Sequence, residues 1–262
     1  MNVHLKKLDD IFEKYNKREL VVPDPLQFLY NYDRLVDREI AGLIASSLAY
    51  GRVQQILISI AKVLDVMGDS PYEFIHSKSF EELDEIYSGF KHRFTTGNDI
   101  ALFLDALRDI TAETGSIEAA FMQGYSDDDE TLLPAMTHFV ARIANRFEGG
   151  KTYLLPSPTK GSACKRFNLF LRWMVRHDEV DPGGWDNLPA SKLLIPLDTH
   201  MNNICTSAGM LKRKNADLKA VIEITDWFKN INPEDPVKYD FALTRFGIRD
   251  DMAIEDLLRS MA

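Results

Sequence analysis

The sequence predicts an all-α protein built as a two-lobed helical bundle. Three observations carry that expectation. Apolar residues recur at helical spacing almost from end to end. No stretch sustains the strict alternation of a half-buried strand. Cap residues followed by proline or acids mark repeated helix starts.

Taken in order, Leu5, Leu8, Ile11, Phe12 and Tyr15 share one stripe, so the N-terminal segment reads as an amphipathic helix. Residues 37–67 read as two helices with a joint at Tyr50-Gly51-Arg52. Ile40, Leu43, Ile44 and Leu48 stripe the first; Val53, Ile56, Leu57, Ile60, Val63 and Leu64 stripe the second. Ser70-Pro71 reads as a cap with proline in the first helical position. Asn98-Asp99 reads as the cap of a helix carrying Ile100, Phe103, Leu104, Leu107 and Ile110. The acidic turn at 126–130 leads into a helix over 132–147. Gly149 and Gly150 then mark the expected seam, with one lobe over 1–150 and another over 151–262, and the N-terminal helix free to fold back across it. Residues 193–197 are too short and proline-bound to build a sheet. Asn232-Pro233-Glu234-Asp235 reads as the start of the last long helix, with Phe241, Leu243 and Phe246.

Composition narrows the function classes. A chain of 262 residues, 45% hydrophobic and 27% charged, has ample material for a core and does not read as disordered. Two cysteines exclude a disulfide scaffold, a four-cysteine zinc site and a four-cysteine iron–sulfur cluster. No cofactor and no metal is expected. No apolar run approaches the ~20 residues of a membrane helix, so no membrane association is expected. The N-terminus is amphipathic and charged rather than signal-like, and a cytoplasmic setting with free thiols is the expectation. A net charge of −9 argues against coating nucleic acid by bulk electrostatics, but leaves room for a local basic groove that meets DNA.

Such a patch stands at 151–177. It holds Lys151, Lys160, Lys165, Arg166, Arg172 and Arg176, with no Asp or Glu. On a loop running into a helix start, these cations and the backbone N–H groups make an anion site; the alternative is a solvated helix face. Ser162 reads as the N-cap, which puts Lys165 in the first turn. Phe167, Leu169, Phe170, Trp173 and Met174 bury the inner face of that helix. A lysine beside the positive dipole end and apolar walls is disfavoured as an ammonium. The free amine can attack a sugar carbon and form a Schiff base; the alternative is a surface lysine reaching for water. Asp198, in Pro196-Leu197-Asp198-Thr199-His200, reads as the N-cap of the next helical run. The same geometry holds an ionised carboxylate where it can stabilise a cation or orient a water.

The segments 155–163 (LPSPTKGSA) and 195–200 (IPLDTH), with the Lys165 helix, resemble the helix-hairpin-helix (HhH-GPD) superfamily of base-excision DNA glycosylases. The spacing is most similar to archaeal 8-oxoguanine DNA glycosylase. The whole chain also resembles an uncharacterised conserved bacterial family of unknown function. The glycosylase resemblance implies a cleft between lobes, with Lys165 and Asp198 as the catalytic pair. It implies Lys160, Gly161, Ser162, Arg166 and His200 at the nucleic acid, and Tyr50, Arg52 and Gln54 around an extruded base. It further implies cleavage of an N-glycosidic bond, with lyase activity. Two departures stand out. Pro158 has no N–H to offer a phosphate, and strict superposition on the endonuclease III hairpin puts Gly161 at the nucleophile position, leaving Lys160 as a rival to Lys165. A non-catalytic nucleic-acid or nucleotide-binding module is the first alternative. A metal phosphohydrolase of the His-Asp type is the second, prompted by His177-Asp178 with His92, His138 and Asp240 as further ligands.

Overall fold

The computed structural model describes residues 3–249 and 251–261. It is 61% helix and 2% strand, which establishes the all-α class. The chain divides into a central unit, residues 23–159, and a terminal unit formed by 1–22 together with 160–262. The seam therefore lies past the glycine pair, not at it. Gly149 and Gly150 sit inside a 3-10 turn, Glu148–Gly150, within the central unit.

In chain order, α1 (Val3–Tyr15) belongs to the terminal unit. The central unit holds α2 (Leu35–Ser47), α3 (Val53–Leu64), α4 (Pro71–His76), α5 (Phe80–Tyr87), α6 (Gly97–Thr114), α7 (Ile117–Met122) and α8 (Leu133–Ala144). The terminal unit continues with α9 (Lys165–Val175), α10 (Thr199–Ser207), α11 (Leu218–Lys229), α12 (Asp240–Ile248) and α13 (Ile254–Met261).

The stripe on α1 explains why the N-terminus joins the C-terminal half. Phe12 meets Tyr239 edge-on at 6.3 Å, and Tyr15 meets Phe246 at 4.8 Å. Lys238 Nζ lies 2.8 Å from Asp9, and the Tyr239 hydroxyl donates to the same carboxylate at 2.9 Å. The α12 that receives this helix starts at Asp240; the expected start near Asn232 is instead a run of turns.

In the central unit, α2 is buried along nearly its whole length, two acids included. Those acids finish other helices. Asp37 Oδ1 accepts the Ser70 hydroxyl at 2.7 Å and the Tyr72 N–H at 2.9 Å, at the start of α4. Glu39, with no solvent exposure, accepts Ile117 N–H at 3.0 Å and Glu118 N–H at 2.9 Å, at the start of α7. A carboxylate placed on orphan N–H groups at a positive helix end is well satisfied even without water. Glu39→Gln turns one acceptor oxygen into an NH2 facing an N–H. We expect a loss of about 1.5–3 kcal/mol, seen as a lower urea midpoint with an unchanged slope. An unmoved midpoint would contradict this role.

The α6 helix starts one residue ahead of its expected cap. Thr96 is the N-cap, and Thr96 and Asp99 exchange bonds in a capping box. Just before it stands a hairpin that the sequence pattern did not show. Strands β1 (Lys91–His92) and β2 (Thr95–Thr96) pair with Lys91 opposite Thr96 and His92 opposite Thr95.

Candidate active site

Lys165 is the first residue of α9. Its N-cap is Cys164, not Ser162. Cys164 adopts a left-handed backbone, φ 47 and ψ 32, and provides no side-chain cap. The helix starts two residues later than expected, and the Ser162 hydroxyl accepts the Cys164 N–H at 3.2 Å just ahead of it. Holding a non-glycine residue in that region costs about 1–2 kcal/mol, so the sharp entry to α9 is maintained by surrounding packing. Cys164 is 1% exposed.

Asp198 approaches from a separate element. It is the N-cap of α10, where its Oδ1 accepts the Met201 N–H at 2.8 Å. Its Oδ2 lies 3.9 Å from Lys165 Nζ. The side chains are 31% and 17% exposed, open enough for a ligand to reach and closed enough to be held. The carboxylate thus divides its work: one oxygen is fixed by the helix start, the other faces the amine. The neighbouring thiols offer no rival nucleophile. Burial pushes the Cys164 thiol up to about 11, and burial also raises Cys205.

The rest of the basic stretch serves a different purpose. Arg172 and Arg176 are 2% and 6% exposed. Arg172 Nε bonds Asp181 at 3.2 Å, and its Nη1 bonds Asp240. Arg176 bonds Asp181, and reaches Asp235 and Asp178 at 2.8 Å each. These two arginines are core ion-pair members rather than surface cations. Their partners come from residues 178–181, 235 and 240, which lie outside the acid-free window and so are invisible to a local charge count.

Asp240 extends the network toward the Lys165–Asp198 pair. Burial pushes its carboxyl up to about 6; Arg172 pulls it back, and the charge on Asp198 raises it further. Asp240 Oδ1 and Asn202 Oδ1 are buried with no protein hydrogen-bond partner. Sequence reasoning gave Asp240 no part in this pair. Its signal was a single acid in the otherwise apolar and basic run VKYDFALTRFG.

The other expected residues fall as follows. Lys160 is exposed at the end of a 3-10 turn, Pro158–Lys160. Gly161 has φ 75, and its carbonyl accepts the Leu218 N–H at 3.0 Å, tying the loop to the start of α11. Arg166 is half-buried in the first turn of α9. His200 lies in the first turn of α10, and its ring closes on α12: a Cβ on Gly247 would sit 2.5 Å from His200 Nδ1. The segment 155–163 is not a turn between two α-helices. α8 ends at Ala144, and irregular chain with 3-10 turns fills the space before α9.

Tyr50, Arg52 and Gln54 belong to the central unit. Arg52 and Gln54 are exposed. Tyr50 is half-buried, its hydroxyl donating to the His92 carbonyl at 2.8 Å and sharing a bond with Thr95 Oγ1 at 2.7 Å. The phenol is therefore committed to the hairpin rather than offered to a base edge.

The residues suggested for a His-Asp metal centre have other partners. Asp178 accepts the Val180 and Asp181 N–H groups besides Arg176; burial raises it, but these bonds win and hold it below the usual carboxylate range. His177 bonds the Pro182 carbonyl, His92 bonds Ser59 and the Tyr50 carbonyl, and Asp240 bonds Arg172. His138 packs on Gly124. Among the described residues, no three His, Cys, Asp or Glu side chains gather as metal ligands would. Among the same residues, no helix is long and apolar enough to cross a membrane.

A family model described as a protein of unknown function, DUF2400, matches residues 24–249. The chain belongs to this family. The DUF2400 match takes in both Lys165 and Asp198, and runs from the central unit to the end of α12. No curated protein and no solved structure matches the chain.

Proposed function

We propose that Lys165 and Asp198 form the active site of a DNA glycosylase-like enzyme with lyase activity, acting on a damaged nucleotide. The observation that carries this reading is the 3.9 Å approach of the Lys165 amine to Asp198 Oδ2, with Oδ1 locked by α10. A carboxylate with one oxygen fixed cannot swing away, so its free oxygen is aimed before substrate arrives.

In the reaction, the Lys165 nitrogen bonds through its lone pair to C1′ of the sugar as the bond from C1′ to the base breaks. The electron pair leaves with the base, which takes up a proton. The amine then gives up its two protons, one to the departing base by way of Asp198 and one to the ring oxygen as the C1′–O bond opens, which leaves an imine between Nζ and C1′. Asp198 accepts the amine proton and balances the positive charge that develops at C1′. Lys160, Arg166 and the N–H groups around Gly161 and Ser162, on the chain that runs into α9, are the groups suited to a phosphate. The motif resemblance over 155–163 and 195–200 points to the same chemistry.

Borohydride reduction tests the reading, because it converts the imine to a stable amine. Duplexes carrying an abasic site or oxidised and alkylated bases should give a covalent protein–DNA band. Absence of that band with every lesion would remove the proposal.

A further inference from the structure

Among the described residues, the exposed Phe, Tyr and Trp side chains are Phe94 and Tyr153, at 65% and 51%. They touch, with ring centroids 5.3 Å apart. Tyr153 also meets Tyr50 at 5.2 Å, and Tyr50 meets His92 at 4.6 Å. The result is a file of rings inside the central unit, anchored at His92 and open to solvent at its outer end.

The way this file is held involves a strained residue. Phe94 and Arg93 form the two-residue loop between β1 and β2. Arg93 has φ 53, at the first loop position, where such hairpins favour glycine. A bulky cation there is unfavourable for the backbone alone, and such strain concentrates where a side chain has work to do. Its guanidinium carbon lies 5.7 Å from the Phe94 centroid. Gly51, at φ 107, leaves room for it: a Cβ there would come within 3.1 Å of Arg93 Cδ.

Charge identifies the occupant. The three segments that build the surface, 50–56, 90–97 and 150–158, carry Arg52, Lys91, Arg93 and Lys151, all exposed, and the acid bonded to the hairpin, Asp99, is taken up by the Thr96 N–H and hydroxyl. In a chain of net charge −9, this is a local cationic face. Exposed rings set edge to face at 64°, with cations on the same segments, fit stacked bases on a phosphodiester chain. An apolar peptide would not use the cations, and a folded duplex would hide its base faces.

We propose that Phe94 and Tyr153, with Arg93, Arg52, Lys91 and Lys151, form a stacking platform for unpaired bases of a single-stranded nucleic acid. This goes beyond the lyase reading, since it needs neither Lys165 nor Asp198 and stands if that chemistry fails.

The test is fluorescence anisotropy of the full chain with labelled oligothymidylate and oligouridylate, at low and physiological salt. The wild type should bind at least one polymer, more weakly as salt rises. Phe94→Ala with Tyr153→Ala should weaken binding at least about tenfold at an unchanged thermal midpoint. Arg93→Gly should weaken binding and flatten the salt dependence without lowering the midpoint, because glycine accepts the positive φ. Lys165→Gln should bind as the wild type does, which separates this surface from the lyase site. No binding of either polymer by the wild type would overturn the proposal. So would full affinity in the doubly substituted protein, or a dimer lost with these substitutions in a chain that binds no oligonucleotide.

Discussion

Lys165→Gln is expected to abolish the borohydride-trapped adduct and to slow strand scission by at least about 10^3-fold. The amide has a similar reach but no electron pair able to bond to carbon, so the covalent step is lost rather than weakened. The fold should be indifferent to the change. Lys165 is 31% exposed, and its pairing with Asp198 at 3.9 Å contributes at most about 1 kcal/mol. A thermal midpoint within a degree or two of wild type is therefore expected. Asp198 allows a finer separation. Asp198→Asn keeps an oxygen that can accept the Met201 N–H, so α10 keeps its cap while the charge facing Lys165 is removed. Its rate should fall with stability intact, whereas Asp198→Ala should lose both, the cap being worth about 1 kcal/mol. Equal rates in Asp198→Asn and wild type would mean that the carboxylate is only a cap.

Arg172→Met is expected to give the largest loss of stability, about 3–5 kcal/mol at neutral pH. The methionine fills much of the same space but leaves Asp181 and Asp240, both fully buried, without their shared cation. The loss should depend on pH in a definite direction. The Asp240 carboxyl rises from its ordinary 3.8 to about 6 in the folded protein, and burial raises Asp181 as well. A group raised on folding adds stability that is complete below its ordinary value and disappears as pH climbs through its folded value. The Asp240 contribution therefore declines between about pH 4 and pH 6. Without Arg172 the ionised forms are penalised further, so the variant should be weakened most at pH 7 and least near pH 4. Urea unfolding at the two pH values measures this. An equal loss at both, or one under about 1 kcal/mol, would contradict the buried-network account. The same variant should not act through salt-dependent DNA binding, as a surface arginine would.

The helices were legible because their apolar stripes are local. α2 and α3 fill most of the expected 37–67 segment, α2 beginning two residues ahead of it at Leu35, and α1 carries the expected stripe, with Leu8 and Ile11 buried. What could not be read depends on distant partners. Glu39 looks like any helix-face acid until α7 presents its N–H groups to it. Arg172 and Arg176 look like surface cations until residues 178–181, 235 and 240 fold onto them. The division at 22/23 follows from α1 docking beside α12, a contact between the two ends of the chain. The hairpin at 91–96 has two residues per strand, too few for any alternation to show. The candidate pair itself was legible as two helix starts, and its approach to 3.9 Å was not.

The most direct test is to locate the trapped sugar on the protein. After borohydride reduction and nuclease and protease digestion, mass spectrometry should find the added deoxyribose remnant on Lys165. Cleavage at Lys160 should remain intact and the adduct should travel with the peptide that follows it. A remnant on Lys160, or on any residue outside the Lys165–Asp198 pair, would contradict the account.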